Sequence, residues 1–214
     1  MVLKILILVK ILILVVDLKN QKTLLKFLKL MDFVWSFYMN NIFPKFNVNI
    51  IPSDLSSKQI VGQYVLSNDV ILLDKKAIRD FPTMRRIILL HEMFHSTLSP
   101  IRTNRIERLV KKLGDFNDGS LSYKMEECIA EICTMVACKK LGLLNKYTTI
   151  VIEDGIVSNY NKDMTIPWME VVSCLNHFSD DNIDFSKELD YVKCYLIAKY
   201  DMKIGSSYVC SSTN

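Results

Sequence analysis

The sequence predicts an α+β domain in which a small twisted β-sheet packs on helices. Two observations predict it: short β-rich runs separated by turn residues lie between Phe46 and Leu73, and long segments of helical periodicity follow. A chain of 214 residues can bury one full core. The net charge of +4 is small and acidic residues interleave with basic ones, so composition gives no indication of nucleic-acid binding.

The N-terminal segment, residues 2–16, is almost continuously Leu, Ile and Val, interrupted by Lys4 and Lys10. It is shorter than the roughly 20 residues of a membrane span, and no small-residue cleavage site follows it. We interpret residues 1–18 as an apolar leader or an extra strand. The six cysteines form no Cys-x-x-Cys pair, which favours reduced, mostly buried thiols and a cytoplasmic location. Membrane association or secretion through residues 2–16 is the alternative.

The β-rich region begins with an alternating run, Phe46–Ile51, which predicts a strand ending at a turn over Pro52–Asp54. Gln63–Leu66 and Val70–Leu73 flank Ser67–Asp69, whose residues favour a tight turn, so a hairpin is expected. An exposed edge strand beside the helix can pair with an extended peptide, and Val70–Leu73 is the candidate for that strand.

Helical periodicity covers most of the remaining chain. Helices are predicted over Lys19–Met39, Ile78–Thr97, Tyr123–Leu141, Ile166–Phe178 and Ser186–Met202. Pro100 should stop the second of these helices and Gly142 should close the third. Thr148–Ile152 is β-branched and predicts a further strand, followed by a polar loop. The domain proper is expected to span residues 19–204, with a mobile tail over 205–214.

The motif His91-Glu92-Met93-Phe94-His95 lies on the strongly apolar second helix. Histidines four apart project from one helix face, one turn from each other, and can share a metal ion. Zinc lowers the pKa of a water molecule bound to it, and Glu92 is then positioned to take the proton as general base. A chance pattern is disfavoured because the chain has only three histidines and unpaired imidazoles are costly to bury.

A catalytic zinc usually has three protein ligands, and the third cannot be chosen by closeness in sequence. The best candidates are carboxylates of the next long helix, where Glu127 and Glu131 lie four apart among apolar residues. We assign Glu127 as ligand and Glu131 as hydrogen-bond partner of a ligand histidine. Glu126 or Glu131 as ligand, or simple solvated charges near a helix N-terminus, are the alternatives.

Three other side chains are weaker candidates for stabilising the charge that develops on a reacting carbonyl. His177 is the third histidine, and Tyr123 begins the helix that carries Glu127. Tyr160 is a similar candidate. A histidine near a helix end is more often structural or solvated, so these roles depend on geometry.

The segments Leu89–Thr97, Arg102–Arg105 and Met125–Leu143 resemble the zincin fold, and more narrowly the zincin-like metallopeptidase domain of ArdC-type antirestriction and phage polyvalent proteins. The spacing of Glu127 and Glu131 is similar to that of the third-ligand helix of Glu-zincins. The resemblance implies a zinc peptidase. The single-stranded-DNA-binding domain of those antirestriction proteins is not recognisable in this sequence. The chain also looks like SprT-like peptidases, but their third ligand is a histidine soon after the motif, and none lies between His95 and His177.

The motif and its helical context therefore predict hydrolysis at one zinc ion, and the resemblance implies that the bond is a peptide bond, with an extended protein or peptide substrate along Val70–Leu73. A zinc-binding interaction or regulatory module without turnover is the alternative from another functional class.

Overall fold

The computed structural model describes residues 39–55, 60–76, 82–96 and 100–205. The chain divides into two units between Pro44 and Lys45. Of the first unit, residues 39–44 are described, and residues 39–42 are helical. The expectations for residues 1–18, for most of the helix Lys19–Met39 and for the tail beyond Gly205 lie outside the described residues.

The second unit begins with a three-stranded mixed sheet. Its strands are β1 (Asn49–Ser53), β2 (Gly62–Val65) and β3 (Val70–Asp74), in the spatial order β1-β3-β2. β1 is parallel to β3, and β2 is antiparallel to it, with Gly62 opposite Leu73 and Val65 opposite Val70. The α+β class is confirmed.

The predicted hairpin is present as β2 and β3. Asp69 in its turn adopts a left-handed backbone with φ 48°, which short polar residues tolerate, and accepts a hydrogen bond from the Tyr64 hydroxyl at 2.7 Å. The predicted first strand is displaced towards the C-terminus, because β1 includes Pro52 and Ser53, which we expected in a turn. Proline is tolerated there because β1 borders the sheet formed by the described strands.

The prediction that Val70–Leu73 forms an exposed edge is wrong. β3 is the central strand, with hydrogen-bonded neighbours on both sides. Its residues Ile71 and Leu73 are buried, which anchors the strand in the core. Among the described strands the edges are β1 and β2, and β2 is the one that packs against the first helix of the unit.

Six helices complete the described part of this unit. They are α1 (Pro82–His95), α2 (Pro100–Leu113), α3 (Leu121–Lys140), α4 (Lys146–Asn159), α5 (Trp168–Phe178) and α6 (Ser186–Tyr200). α3 is the central helix and packs against all five others. None of the helices in the described ranges is both long and apolar enough to cross a membrane.

Helix α2 was not predicted. Pro100 was expected only to end the preceding helix, but it opens α2, because proline lacks the N–H that the first helical turn leaves unpaired anyway. The helix packs on α3, and its residues Leu109 and Arg105 are buried. Its apolar residues Ile106, Leu109, Val110 and Leu113 recur at helical spacing, so the sequence does contain a helical signal after Pro100.

The predicted strand Thr148–Ile152 is also wrong, because these residues belong to α4. The Asn145 side chain caps this helix by accepting a hydrogen bond from the Thr148 amide at 3.0 Å. Thr148, Ile152 and Ile156 are buried at a spacing of four, and α4 packs on α3. Burial of that face outweighs the weak preference of β-branched residues for strands.

The end of α3 follows the prediction. Gly142 has a left-handed backbone with φ 66°, and the next amide, that of Leu143, donates to the Cys138 carbonyl at 2.9 Å. This cap turns the chain back so that α4 lies along α3. On the far side of α4, Glu153 accepts hydrogen bonds from Lys199, Tyr195 and Tyr200 of α6.

Candidate metal centre

Helix α1 directs two imidazoles into one cleft. Its opposite face, which includes Leu90, Met93 and Phe94, is fully buried and fixes the rotation of the helix. The Nε2 atoms of His91 and His95 consequently lie 3.0 Å apart, and the rings meet edge to face.

Helix α3 places the Glu127 carboxylate opposite these two nitrogens. Oε2 of Glu127 lies 3.2 Å from Nε2 of His91 and 3.3 Å from Nε2 of His95. Three donor atoms thus form a nearly equilateral triangle, and this group could hold a metal ion. Ligands at zinc-like bond lengths in a tetrahedral site are spaced by about 3.3 Å, so the spacing fits.

The electrostatics of the triangle favour a bound cation. Burial alone would lower the pKa of both histidines, but Glu127 and neighbouring carboxylates raise that of His95 to about 9 and raise that of His91 as well. Burial would raise the pKa of Glu127, yet the two histidines hold it far below its usual range. The carboxylates therefore favour positive charge at the two rings, which protons can supply and which a metal ion bound to the ring nitrogens would supply in their place.

The remaining ring nitrogen of each histidine faces a further carboxylate. Nδ1 of His91 lies 3.4 Å from Oε1 of Glu131, and Nδ1 of His95 lies 3.5 Å from Oε1 of Glu126. Such partners orient imidazole ligands and increase their basicity. Glu131 lies next to His91, as its predicted role requires, but Nδ1 of His91 makes no hydrogen bond within the described ranges. Glu126, which was considered as a ligand, lies behind His95 instead.

Glu126 is held by an arginine that the sequence analysis did not assign to the site. Arg105 of α2 donates to both carboxylate oxygens at 2.6 and 2.7 Å, and both side chains are almost fully buried. Burial alone would raise the pKa of Glu126, but Arg105 and His95 lower it to about 2. The carboxylate is therefore charged and fixed in place behind the ring of His95.

Two glycines let the surrounding elements approach the site. A Cβ on Gly155 of α4 would lie 2.7 Å from Oε1 of Glu131, and a Cβ on Gly62 of β2 would lie 2.4 Å from Cγ2 of Ile88. Both distances are shorter than real carbon contacts. The sequence offers only a weak signal for them, a glycine inside a strand or helix, which often marks close approach of another element.

Glu92 lies between α1 and β2. Its Oε2 accepts a hydrogen bond from the Tyr64 amide at 2.7 Å, and no hydrogen bond to its Oε1 is present among the described residues. The outward-facing amide of the edge strand thus orients the predicted general base.

These residues line one cleft of about 390 Å³. Besides the donors and Glu92, its walls include residues of β2, α2, α3 and two loops: Ile60, Gln63, Tyr64, Arg102, Phe116 and Tyr123. Burial and the charge of Glu127 raise the pKa of the Tyr123 phenol, so it stays protonated as a hydrogen-bond donor. The structure therefore brings Tyr123 to the centre, as its candidate role requires.

The structure does not bring His177 to this centre. His177 lies on α5 and lines a separate cavity with Lys45 and Met169. His177 does not line the cleft that holds the donor triangle, so the structure does not support its candidate role at the reacting carbonyl. Tyr160 is likewise engaged elsewhere, accepting a hydrogen bond from the Lys203 amide at 2.9 Å.

No protein-family model matches this chain, and comparison with curated proteins and with solved structures gives no match. A functional proposal therefore rests on the geometry of the cleft.

Proposed function

We propose that this protein is a zinc-dependent metallopeptidase of the zincin type. The observation that supports this most strongly is the triangle of His91, His95 and Glu127, with Glu92 beside it in the same cleft. Two imidazole nitrogens and one carboxylate oxygen form a donor set that suits a catalytic zinc ion, because zinc then keeps a position open for water. A histidine as third ligand, as in SprT-like peptidases, is not favoured, since His177 lies in the other cavity.

A zinc ion in this triangle would act as a Lewis acid that activates water and polarises a carbonyl group. The side chains of the cleft would perform the remaining steps. Oε1 of Glu92 would take the proton from the attacking water and deliver it to the leaving amine, while Oε2 remains on the Tyr64 amide. The protonated phenol of Tyr123 would donate to the oxygen of the carbonyl under attack.

The substrate would lie along β2 rather than along Val70–Leu73. β2 is an edge among the described strands and lines the cleft through Gly62, Gln63 and Tyr64. An extended peptide can add to such an edge through main-chain hydrogen bonds. The Tyr64 amide already donates to Glu92, so pairing would use the outward carbonyls of the strand and bring the scissile bond next to the base.

The test combines metal content with turnover of an unstructured protein such as casein. Purified wild-type protein should carry about one zinc ion per chain and cleave the substrate. Glu92→Gln should keep zinc and the hydrogen bond from Tyr64, yet lose activity by several orders of magnitude, because an amide does not accept the proton.

A wild-type protein that holds zinc but does not hydrolyse peptides would contradict this proposal and favour the zinc-binding interaction module. A wild-type protein that binds no zinc would contradict both functions. Leu109→Ala, which truncates a buried side chain of α2 that does not line the cleft, is the control for general loss of stability.

A further inference from the structure

Arg102, on the first turns of α2, is nearly buried and makes no hydrogen bond with any residue of the described ranges. Its side chain is 11% exposed, and its Nε atom has no acceptor. The nearest carboxylate oxygen is Oε1 of Glu126, 3.7 Å from Nε, which is beyond hydrogen-bond distance. Glu126 already accepts two hydrogen bonds from Arg105.

Arg102 and Arg105 differ in how they are paired with Glu126. Both arginines lie on one face of α2, three residues apart, and both approach Glu126. A single carboxylate satisfies Arg105 and leaves the buried Nε–H donor of Arg102 without an acceptor. Burial of an unsatisfied charged group is costly, so such a group in a cleft wall indicates a ligand that completes it.

Arg102 faces the strand on which the substrate would lie. It lines the metal cleft, and its Cζ atom lies 5.4 Å from the centre of the Tyr64 ring. In paired strands, residues directly opposite each other direct their side chains to the same face. A substrate residue opposite Tyr64 would therefore direct its side chain towards Arg102.

Arg102 is also separated from the donor triangle. Its nearest carboxylate is Glu126, which contacts Nδ1 of His95 and not the donor atom Nε2, so Arg102 is not itself next to a donor atom by these contacts. Its position suits a substrate group one or two residues away from the scissile bond.

We propose that Arg102 forms a subsite for a carboxylate of the peptide substrate, next to the scissile bond. The inference rests on the proposed peptidase function and names its specificity. The planar fork of a guanidinium matches the two oxygens of a carboxylate. That carboxylate comes either from an Asp or Glu side chain or from a free C-terminus, and the test separates the two sources.

The test uses synthetic peptides around one cleaved bond, with Glu or Gln at each flanking position and with a free or amidated C-terminus. Wild-type kcat/KM should be about 10- to 100-fold higher for the form that carries the recognised carboxylate. If the preference follows Glu against Gln, the source is a side chain; if it follows amidation, the source is the C-terminus.

Arg102→Gln should remove this preference while cleavage of the neutral peptides continues. Arg102→Lys keeps the positive charge but lacks the planar guanidinium, so it should retain part of the preference. This variant replaces Arg102→Gln in the test if Arg102→Gln does not fold. The matched control is Arg108→Gln on the same helix, because Arg108 is 56% exposed and pairs with Glu170 outside the cleft. Its preference should equal that of the wild type.

Equal turnover of charged and neutral peptides by the wild type, or a preference that persists in Arg102→Gln, would overturn the subsite. Binding of the same peptides to the Glu92→Gln variant, measured by calorimetry, keeps the result separate from turnover. If the wild type cleaves nothing, the peptidase proposal fails. The subsite can then still be tested by comparing the Kd of charged and neutral peptides. Equal Kd for charged and neutral peptides would overturn it.

Discussion

Substitution of Gly62 by alanine tests how closely β2 must approach α1, the helix that carries Ile88 and Glu92. The new Cβ would lie 2.4 Å from Cγ2 of Ile88 and 3.1 Å from Oε1 of Glu92. Normal carbon contacts need about 3.5 Å or more, so the strand or Ile88 must move by roughly 1 Å. Overpacking of this kind costs about 1–3 kcal/mol of folding free energy.

The same shift should affect catalysis more than metal binding. The three donor atoms come from α1 and α3, but Glu92 is oriented by the amide of Tyr64 on β2. Misplacement of a catalytic group by about 1 Å can cost about 100-fold in rate. We therefore expect Gly62→Ala to keep its zinc and lose about 100-fold in kcat.

Urea unfolding, metal analysis and peptidase kinetics on four proteins would measure these effects: wild type, Gly62→Ala, Ile88→Ala and the double variant. Ile88→Ala alone should cost about 2–5 kcal/mol through the cavity it leaves. The double variant should be more stable than additivity predicts by about 1–3 kcal/mol, since the clash is gone. A Gly62→Ala protein with wild-type stability and rate would refute the reasoning.

Three further predictions concern the carboxylates of the helices. Glu127→Ala should weaken zinc affinity by far more than the 10- to 100-fold expected for Glu131→Gln, as competition with a chelator would show; equal losses would contradict the ligand assignment. Arg105→Met should destabilise the fold by about 3–5 kcal/mol in urea unfolding because Glu126 stays buried without its partner, and adding Glu126→Gln should restore part of this. Burial would raise the pKa of Glu153, but its hydrogen-bond donors lower it, so its stabilisation is full above about pH 4.5 and is lost below. The wild type should therefore lose its advantage over Glu153→Gln as the pH falls; an advantage independent of pH would contradict this.

Local sequence features predicted the elements whose signals are local. The hairpin of β2 and β3 has turn residues between two β-rich runs, and α3 has a capping glycine at its end. The strand predicted at Thr148–Ile152 and the missing helix α2 are errors of different kinds. At Thr148–Ile152 the β-branched residues have a weak local preference, and packing on α3 decides the conformation. In α2 the residues Ile106, Leu109, Val110 and Leu113 do have helical spacing, and Pro100 begins that helix as well as following the end of the preceding one.

The candidate donor pair and the proposed base follow from the sequence, because histidines four apart on a helix must share one face and Glu92 lies between them. The third donor does not, since Glu126, Glu127 and Glu131 are all acids within two turns of α3. Their roles depend on what other elements bring against them. Arg105 of α2 engages Glu126, the α4 backbone at Gly155 packs against Glu131, and Glu127 faces the two imidazoles. Tertiary structure made that choice, because it depends on which charges and backbones meet across helices far apart in the chain.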